Sequence, residues 1–446
     1  MPPRFLLCLL GLAAAPALAA EGGNEHAKSL LERDVLLGDL GGSRTAAEDR
    51  GVTASLQYTQ EYLGVVSGGI ARRGESTGLV QLDLDLDLEK LVGWQGGLLH
   101  ATGYIGWGNS ISARWIGDES NISNINMRNG ARLFEAYLQQ SFGDLLSIRA
   151  GLLANDSEFY SSSVESTRSR GGSLFVNSDF GAMPIMSFNV PEPIFPISTP
   201  GVSVTVHATD SLIFRTAIYS GQPLPADAFD DRNAHGFSPR LSTTDGALVM
   251  AEIEYEVNQP HDPPAEPGSG SGKEAKAVAA PRGLGGCYRL GGFYHTTDFT
   301  DWRSGRTVQG LGGGWLSANQ MVWRENPTDD QGLSLFARVS AAPRDRSVLE
   351  FCTDAGLHYH GLIPGRDEDD LGLGVSMKRY SRDFSRSEQF AANARRDHET
   401  IIELSYSVPV TPWLTLQPDV QYILHPAGDR TAENALVAGV RVAMSF

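Results

Sequence analysis

Eight residues constrain the fold more than any others: Leu82, Asp83, Leu84, Asp85, Leu86, Asp87, Leu88 and Glu89. Leucine and acid alternate without a slip. A helix would smear both classes around its axis, whereas a strand puts all leucines on one face and all acids on the other. The same period of two recurs along the chain. Ala54, Leu56 and Tyr58 alternate with Ser55, Gln57 and Thr59. Val202, Val204 and Val206 alternate with Ser203, Thr205 and His207. Ile402, Leu404 and Tyr406 alternate with Glu403, Ser405 and Ser407. The pattern predicts about sixteen strands: 52–64, 78–91, 97–107, 132–142, 145–154, 200–208, 211–220, 246–258, 284–296, 307–323, 332–342, 347–360, 370–381, 398–408, 413–424 and 435–446. A tilted membrane strand needs about 9–11 residues, which these segments supply. No stretch reaches the roughly 18 consecutive apolar residues of a membrane helix, but alternation hides the hydrophobicity of a barrel strand from that criterion. A soluble sandwich or propeller also shows period two, so the flanking segments must decide.

They favour a transmembrane barrel. Residues 1–19 read as a signal peptide, with Arg4 before the apolar run Phe5 to Leu12 and a small-x-small site at Ala17, Leu18 and Ala19. The predicted connections alternate between short (92–96, 143–144, 209–210, 409–412) and long (108–131, 155–199, 221–245, 382–397). Short periplasmic turns and long outer loops are the asymmetry of an outer-membrane barrel. Residues 259–283, rich in Pro, Gly, Ser and Ala, read as a flexible linker insertion on the periplasmic side. Residues 20–51 read as a periplasmic segment with short helices: Ser29 to Leu37 has helical spacing, and Thr45 to Arg50 ends at Gly51. The barrel domain is then 52–446. Its last strand carries Leu436, Ala438, Val440, Val442, Met444 and Phe446 on one face and Arg441 on the other. The formal charge of −17 excludes a nucleic-acid binder, which needs a basic face. Cys287 and Cys352 fall on well-separated strands, so no disulfide is expected between them.

Several ordered stretches resemble the carbohydrate-selective porin (OprB) family. They are Gly38 to Arg44 (GDLGGSR), Leu82 to Lys90 with Gly93 and Trp94, Arg149 to Phe159 (RAGLLANDSEF), Phe175 to Gly181 (FVNSDFG), Pro193 to Pro196, Gly361 to Arg366, and Thr411 to Asp419 (TPWLTLQPD). The resemblance runs from about Leu37 to Phe446. It implies a sixteen-stranded outer-membrane porin, usually trimeric, that admits glucose and related sugars without a cofactor. The alternating apolar residues ending in Phe446 resemble the signal read by the barrel assembly machinery. Two departures are extra length at Glu165 to Gly171 and the long 259–283 linker.

A sixteen-stranded barrel leaves a lumen too wide to select by itself, so selectivity needs a loop folded inward. The resemblance nominates 155–184. Its polar and aromatic residues suit a sugar, whose hydroxyls ring an apolar face. The candidate contacts are Asn155, Asp156, Glu158, Phe159, Tyr160, Arg168 and Arg170, with Glu135 and Arg149 on adjoining strands. Lumen parity also nominates Glu61, Asp83, Asp85, Asp87, Arg289, Arg338, Glu350, Asp354, Glu403, Asp419 and Arg441, mostly as paired wall charges, because charge is costly on a lipid face. His358 and His360 flank Tyr359; a pair of His two apart on a strand can ligate a metal but far more often is polar wall, and His295 has no nucleophile at a recognisable spacing. Neither a catalytic nor a metal site is expected. The expected partners are sugars, outer-membrane lipid and the assembly machinery. A sugar channel and a general or cation-preferring porin for small polar solutes both fit the acidic lumen.

Overall fold

The computed structural model describes residues 29–160, 173–223, 235–237, 241, 244–258, 283–326, 330–387 and 396–446. The strands are β1 Val52–Ser67, β2 Gly74–Asp87, β3 Gly97–Trp107, β4 Gly130–Phe142, β5 Leu146–Leu153, β6 Thr199–Thr209, β7 Leu212–Ser220 and β8 Ala247–Val257. They continue with β9 Gly286–Thr300, β10 Thr307–Arg324, β11 Gly332–Ala341, β12 Leu349–His360, β13 Asp370–Tyr380, β14 His398–Thr411, β15 Leu414–Leu424 and β16 Ala435–Ser445. Each pairs antiparallel with its sequence neighbour, and β1 closes on β16. All sixteen expected strands are present, and the barrel leaves no edge open to lipid, as a membrane demands.

Alternation sets the two faces. Ile218, Leu290, Leu316 and Leu404 are exposed on the outside, where lipid covers them. Exposed aromatics collect toward both ends. Trp94, Phe142, Tyr255, Tyr288 and Trp323 lie at the end that holds the termini, and Tyr62, Tyr294 and Tyr422 lie toward the other. Such bands mark the two membrane interfaces. Inside, Glu61, Arg289, Arg338, Asp354, Glu403, Asp419 and Arg441 are buried, as parity predicts. The seam is pinned by one of their pairs. Glu61 opposes Arg441 in register, and Arg441 Nε donates to Glu61 Oε1 at 2.6 Å. Cys287 and Cys352 are buried and unbonded.

Two local expectations fail. Strand β2 stops at Asp87, short of residue 91. The Asp87 carboxylate accepts from the Glu89 and Lys90 amides at 3.0 and 3.1 Å and caps the helical turn Leu88–Val92. Gly93, at φ +75°, ends that turn. Glu89 therefore belongs to a turn and not to the lumen wall. Helical spacing at Ser29 to Leu37 produces only a short 3₁₀ turn, Leu30–Glu32. Leu30 and Leu31 remain 51 % and 66 % exposed, and an apolar stripe with nothing to pack against does not sustain a helix. The second N-terminal helix does form, as α1 Ser43–Asp49, and Gly51 follows it at φ +92°.

Candidate functional site

Among the described residues, two connections turn into the barrel: 108–129 between β3 and β4, and, between β5 and β6, residues 154–160 with 173–198. The sequence nominated only the second, and placed its end at 184.

The root of the longer loop is locked by its own acids and amides. Glu135 accepts from the Ala154 amide at 2.8 Å and from Ser157 Oγ at 3.2 Å. Asn155 donates to Glu192 at 2.7 Å and accepts from the Tyr160 hydroxyl at 3.0 Å. Asp156 accepts from the Phe195 amide at 3.1 Å. Glu252, on β8, accepts from the Tyr160 amide at 3.0 Å and the Trp315 indole at 2.9 Å. Phe159 and Tyr160 are 0 % and 1 % exposed, in an apolar cluster with Met183, Met186, Tyr219 and Trp315. Their rings therefore offer no free face to a solute. Glu135 and Asn155 are likewise buried and serve the loop's shape. Arg168 and Arg170 lie outside the described residues.

The loop's second half is clamped to the opposite wall. Glu403 accepts from the Val176 and Asn177 amides at 2.5 and 3.1 Å. Gln421 accepts from Asn177 at 2.9 Å and donates to the Ile122 carbonyl at 2.9 Å, joining both inward loops. Lys378, on β13, is fully buried. It pairs with Asp179 at 3.0 Å and Glu399 at 2.8 Å. Ser120, from the shorter loop, donates to the same two carboxylates at 2.9 and 2.7 Å. Phe175 stacks on Phe180 at 4.3 Å, against Phe336.

Along β2 to β5, Asp83, Asp85, His100, Tyr137, Gln139 and Arg149 are half-buried. Arg149 forms an ion pair with Glu158 at 3.1 Å and donates to Gln139 at 2.8 Å. Its guanidinium stands 5.1 Å from the centre of the Tyr137 ring. His100 stacks on the same Tyr137 at 4.8 Å and contacts Asp85 at 2.7 Å and Thr102 at 2.8 Å. Thr102 donates to Asp83 at 2.7 Å. One continuous track thus runs from the acids of β2 to the Arg149–Glu158 pair. Asp85 is thereby linked to Arg149 through His100 and the Tyr137 ring. The sequence nominated none of His100, Tyr137 and Gln139, although strand parity with Glu135 could have found the last two. The track combines a cationic fork, carboxylate and amide acceptors, and flat ring faces, which is what hydroxyl recognition requires. His295, by contrast, is spent on bracing. Its Nε2 contacts the Gly221 carbonyl at 2.7 Å, and its Nδ1 accepts from the Thr297 amide at 3.2 Å.

Burial pushes the Asp156 and Glu192 carboxyls up to about 7. Both raised acids hold protons in the folded loop that the unfolded chain gives up near pH 4. Their ionisation therefore costs nothing below about pH 4, costs progressively more up to about pH 7, and is fully unfavourable above it. The loop root is expected to loosen as pH rises from about 4 to about 7, read as increased open-channel current noise. Asp156→Asn with Glu192→Gln should flatten that dependence; persistence of the full pH response in the double variant would place the titration elsewhere.

Comparison with known proteins agrees with the architecture. The family described as carbohydrate-selective porin, OprB family, matches residues 72–446. Porin B of Pseudomonas aeruginosa is 27 % identical, with 99 % of this chain and 96 % of that protein covered. Putative porin QuiX of Acinetobacter baylyi is 23 % identical over 98 % of this chain and 99 % of the relative. The high-pH structure of Pseudomonas putida OprB shares the fold at a TM-score of 0.80 with 24 % identity, covering 94 % of this chain and all of that one. A closed barrel with an inward loop and a match over most of the sequence make this chain a member of the OprB family of carbohydrate-selective porins, a channel of the outer membrane.

Proposed function

We propose that the protein gives passive, selective diffusion to glucose-like sugars across the outer membrane. The observation that carries this reading is the track of Asp83, Asp85, His100, Tyr137, Gln139, Arg149 and Glu158 along β2 to β5 and the root of the longer loop. A sugar ring sliding over Tyr137 and His100 keeps its hydroxyls within reach of acids on one side and a guanidinium on the other. At the Arg149–Glu158 pair, opposite charges side by side leave donors and acceptors with little net field, which suits a neutral solute, while Asp83 and Asp85 leave the β2 end of the track acidic. Weak, repeated contacts let the solute leave as readily as it enters. The name of Porin B from Pseudomonas aeruginosa and the family description support a channel, and leave the preferred solute to be measured. The test is swelling of proteoliposomes in glucose, in a larger oligosaccharide and in lysine. Faster glucose entry supports the proposal; equal or faster lysine entry supports a general or cation-preferring porin instead.

Two partners belong to the same proposal. The closing strand, whose Phe446 amide donates to the Leu56 carbonyl at 2.9 Å, is the segment offered to the barrel assembly machinery. Deleting Phe446 is expected to lower the yield of heat-modifiable barrel severalfold while leaving the conductance of assembled channels unchanged. A normal yield would remove that role. Association into a homotrimer is checked by crosslinking in the membrane.

A further inference from the structure

The lumen wall holds a second constellation, remote from the sugar track. His358 and His360 lie two apart on β12 and share the lumen face. Asp370 opens β13, in register with His360. One oxygen of Asp370 contacts His358 Nε2 at 2.7 Å and His360 Nδ1 at 2.8 Å. All three side chains are buried, and their three ligand atoms lie within 4.8 Å of one another. Two further features surround them. The other ring nitrogen of His360, Nε2, lies 3.6 Å from Asp330 Oδ1, just before β11. Ser407, opposite Asp370 on β14, has a buried hydroxyl with no hydrogen-bond partner.

We infer that His358, His360 and Asp370 form a binding site for one divalent transition-metal ion at the mouth that holds the short turns. Two imidazoles and a carboxylate suit zinc, cobalt, nickel or copper and not magnesium or calcium, which take all-oxygen sites. Ligand bonds of about 2.1 Å spread three donors slightly wider than their present hydrogen-bond spacing, so a small opening of the triad suffices. No covalent chemistry is involved. In the metal-free triad the two contacting nitrogens carry protons donated to Asp370. On binding, each neutral ring moves its proton to the other nitrogen, and the metal takes the vacated lone pairs. For His360 that other nitrogen is Nε2, which faces Asp330. A metal-bound histidine typically donates its second N–H to a carboxylate, and Asp330 stands where that acceptor is needed. Three protein ligands leave at least one position for water or for the orphaned Ser407 hydroxyl.

The experiment uses the full-length, tag-free protein in detergent, stripped with chelator and titrated with Co²⁺. The expected result is saturable uptake of one equivalent with visible d–d absorption, displaced by Zn²⁺ and unaffected by Mg²⁺. His358→Gln with His360→Gln should abolish it, while heat-modifiability and conductance confirm that the variant is folded. Asp330→Asn, a change at an exposed position, should weaken binding about tenfold or more and serves if the double variant does not assemble. Uptake that does not saturate, or that survives unchanged in both variants, overturns the proposal. The site stands apart from Arg149, so its failure leaves the sugar reading untouched.

Discussion

Arg149→Gln is expected to cut the affinity of the lumen for glucose about tenfold while shifting ion preference little. The guanidinium holds Glu158 at 3.1 Å and Gln139 at 2.8 Å, and caps the Tyr137 ring. A hydrogen bond to a charged group contributes about 1.5–3 kcal/mol, and 1.4 kcal/mol is a factor of ten in affinity. Glutamine removes the charged fork that a sugar hydroxyl and Glu158 would share. Arg149→Lys should fall between, because an ammonium keeps the charge but loses the planar fork and the ring stacking. Sugar-induced blocking of ion current gives the affinity, and reversal potentials in a salt gradient give the selectivity. An unchanged sugar affinity with a strong shift toward cations would instead make Arg149 an ion filter and favour the general porin.

Lys378→Met should release the inward loops without opening the barrel. Lys378 is fully buried between Asp179 and Glu399, and Ser120 donates to both carboxylates. Removing one partner of a buried ion pair leaves the other charges uncompensated, at a cost of about 3–5 kcal/mol. That penalty falls on the contact between loop and wall, because the strand ladders on both sides of β13 do not involve the side chain. The variant should therefore run as a normal heat-modifiable barrel yet show larger and noisier single-channel conductance. Replacing Lys378, Asp179 and Glu399 together by Met, Asn and Gln should be milder than the single change, since no charge is left buried. A quiet, wild-type conductance in Lys378→Met would show that the hydrogen bonds to Glu403, Gln417 and Gln421 hold the loop alone.

The barrel was legible in the sequence because a lipid face and a water face impose period two at every strand. The same rule placed Glu61, Arg338 and Arg441 inward before any pairing was known. It failed where a local hydrogen bond outranked alternation. Asp87 keeps the parity of Asp83 and Asp85, yet its carboxylate caps a turn and ends the strand. Loop 154–198 announced itself by length, but length does not say which side chains face water. Phe159 and Tyr160 suit a sugar by residue type, yet both are sealed in one cluster with Trp315. Tyr137 and His100 are the half-buried rings on the wall. Nothing in residues 108–129 distinguishes an outward loop from an inward one, because what turns it inward is Gln421 and Glu399, roughly three hundred residues later.

That separation dictates an order of maturation. The clamp on Asp179 and its neighbours is built from Arg338, Lys378, Glu399, Glu403, Gln417 and Gln421, spread over β11 to β15. The loop is made early and its seat is made late. No N-terminal fragment that ends before β15 can hold the complete clamp, however well its own strands pair. Seating of the inward loop is thus a property of the whole wall, acquired only once the strands from β11 to β15 are in place.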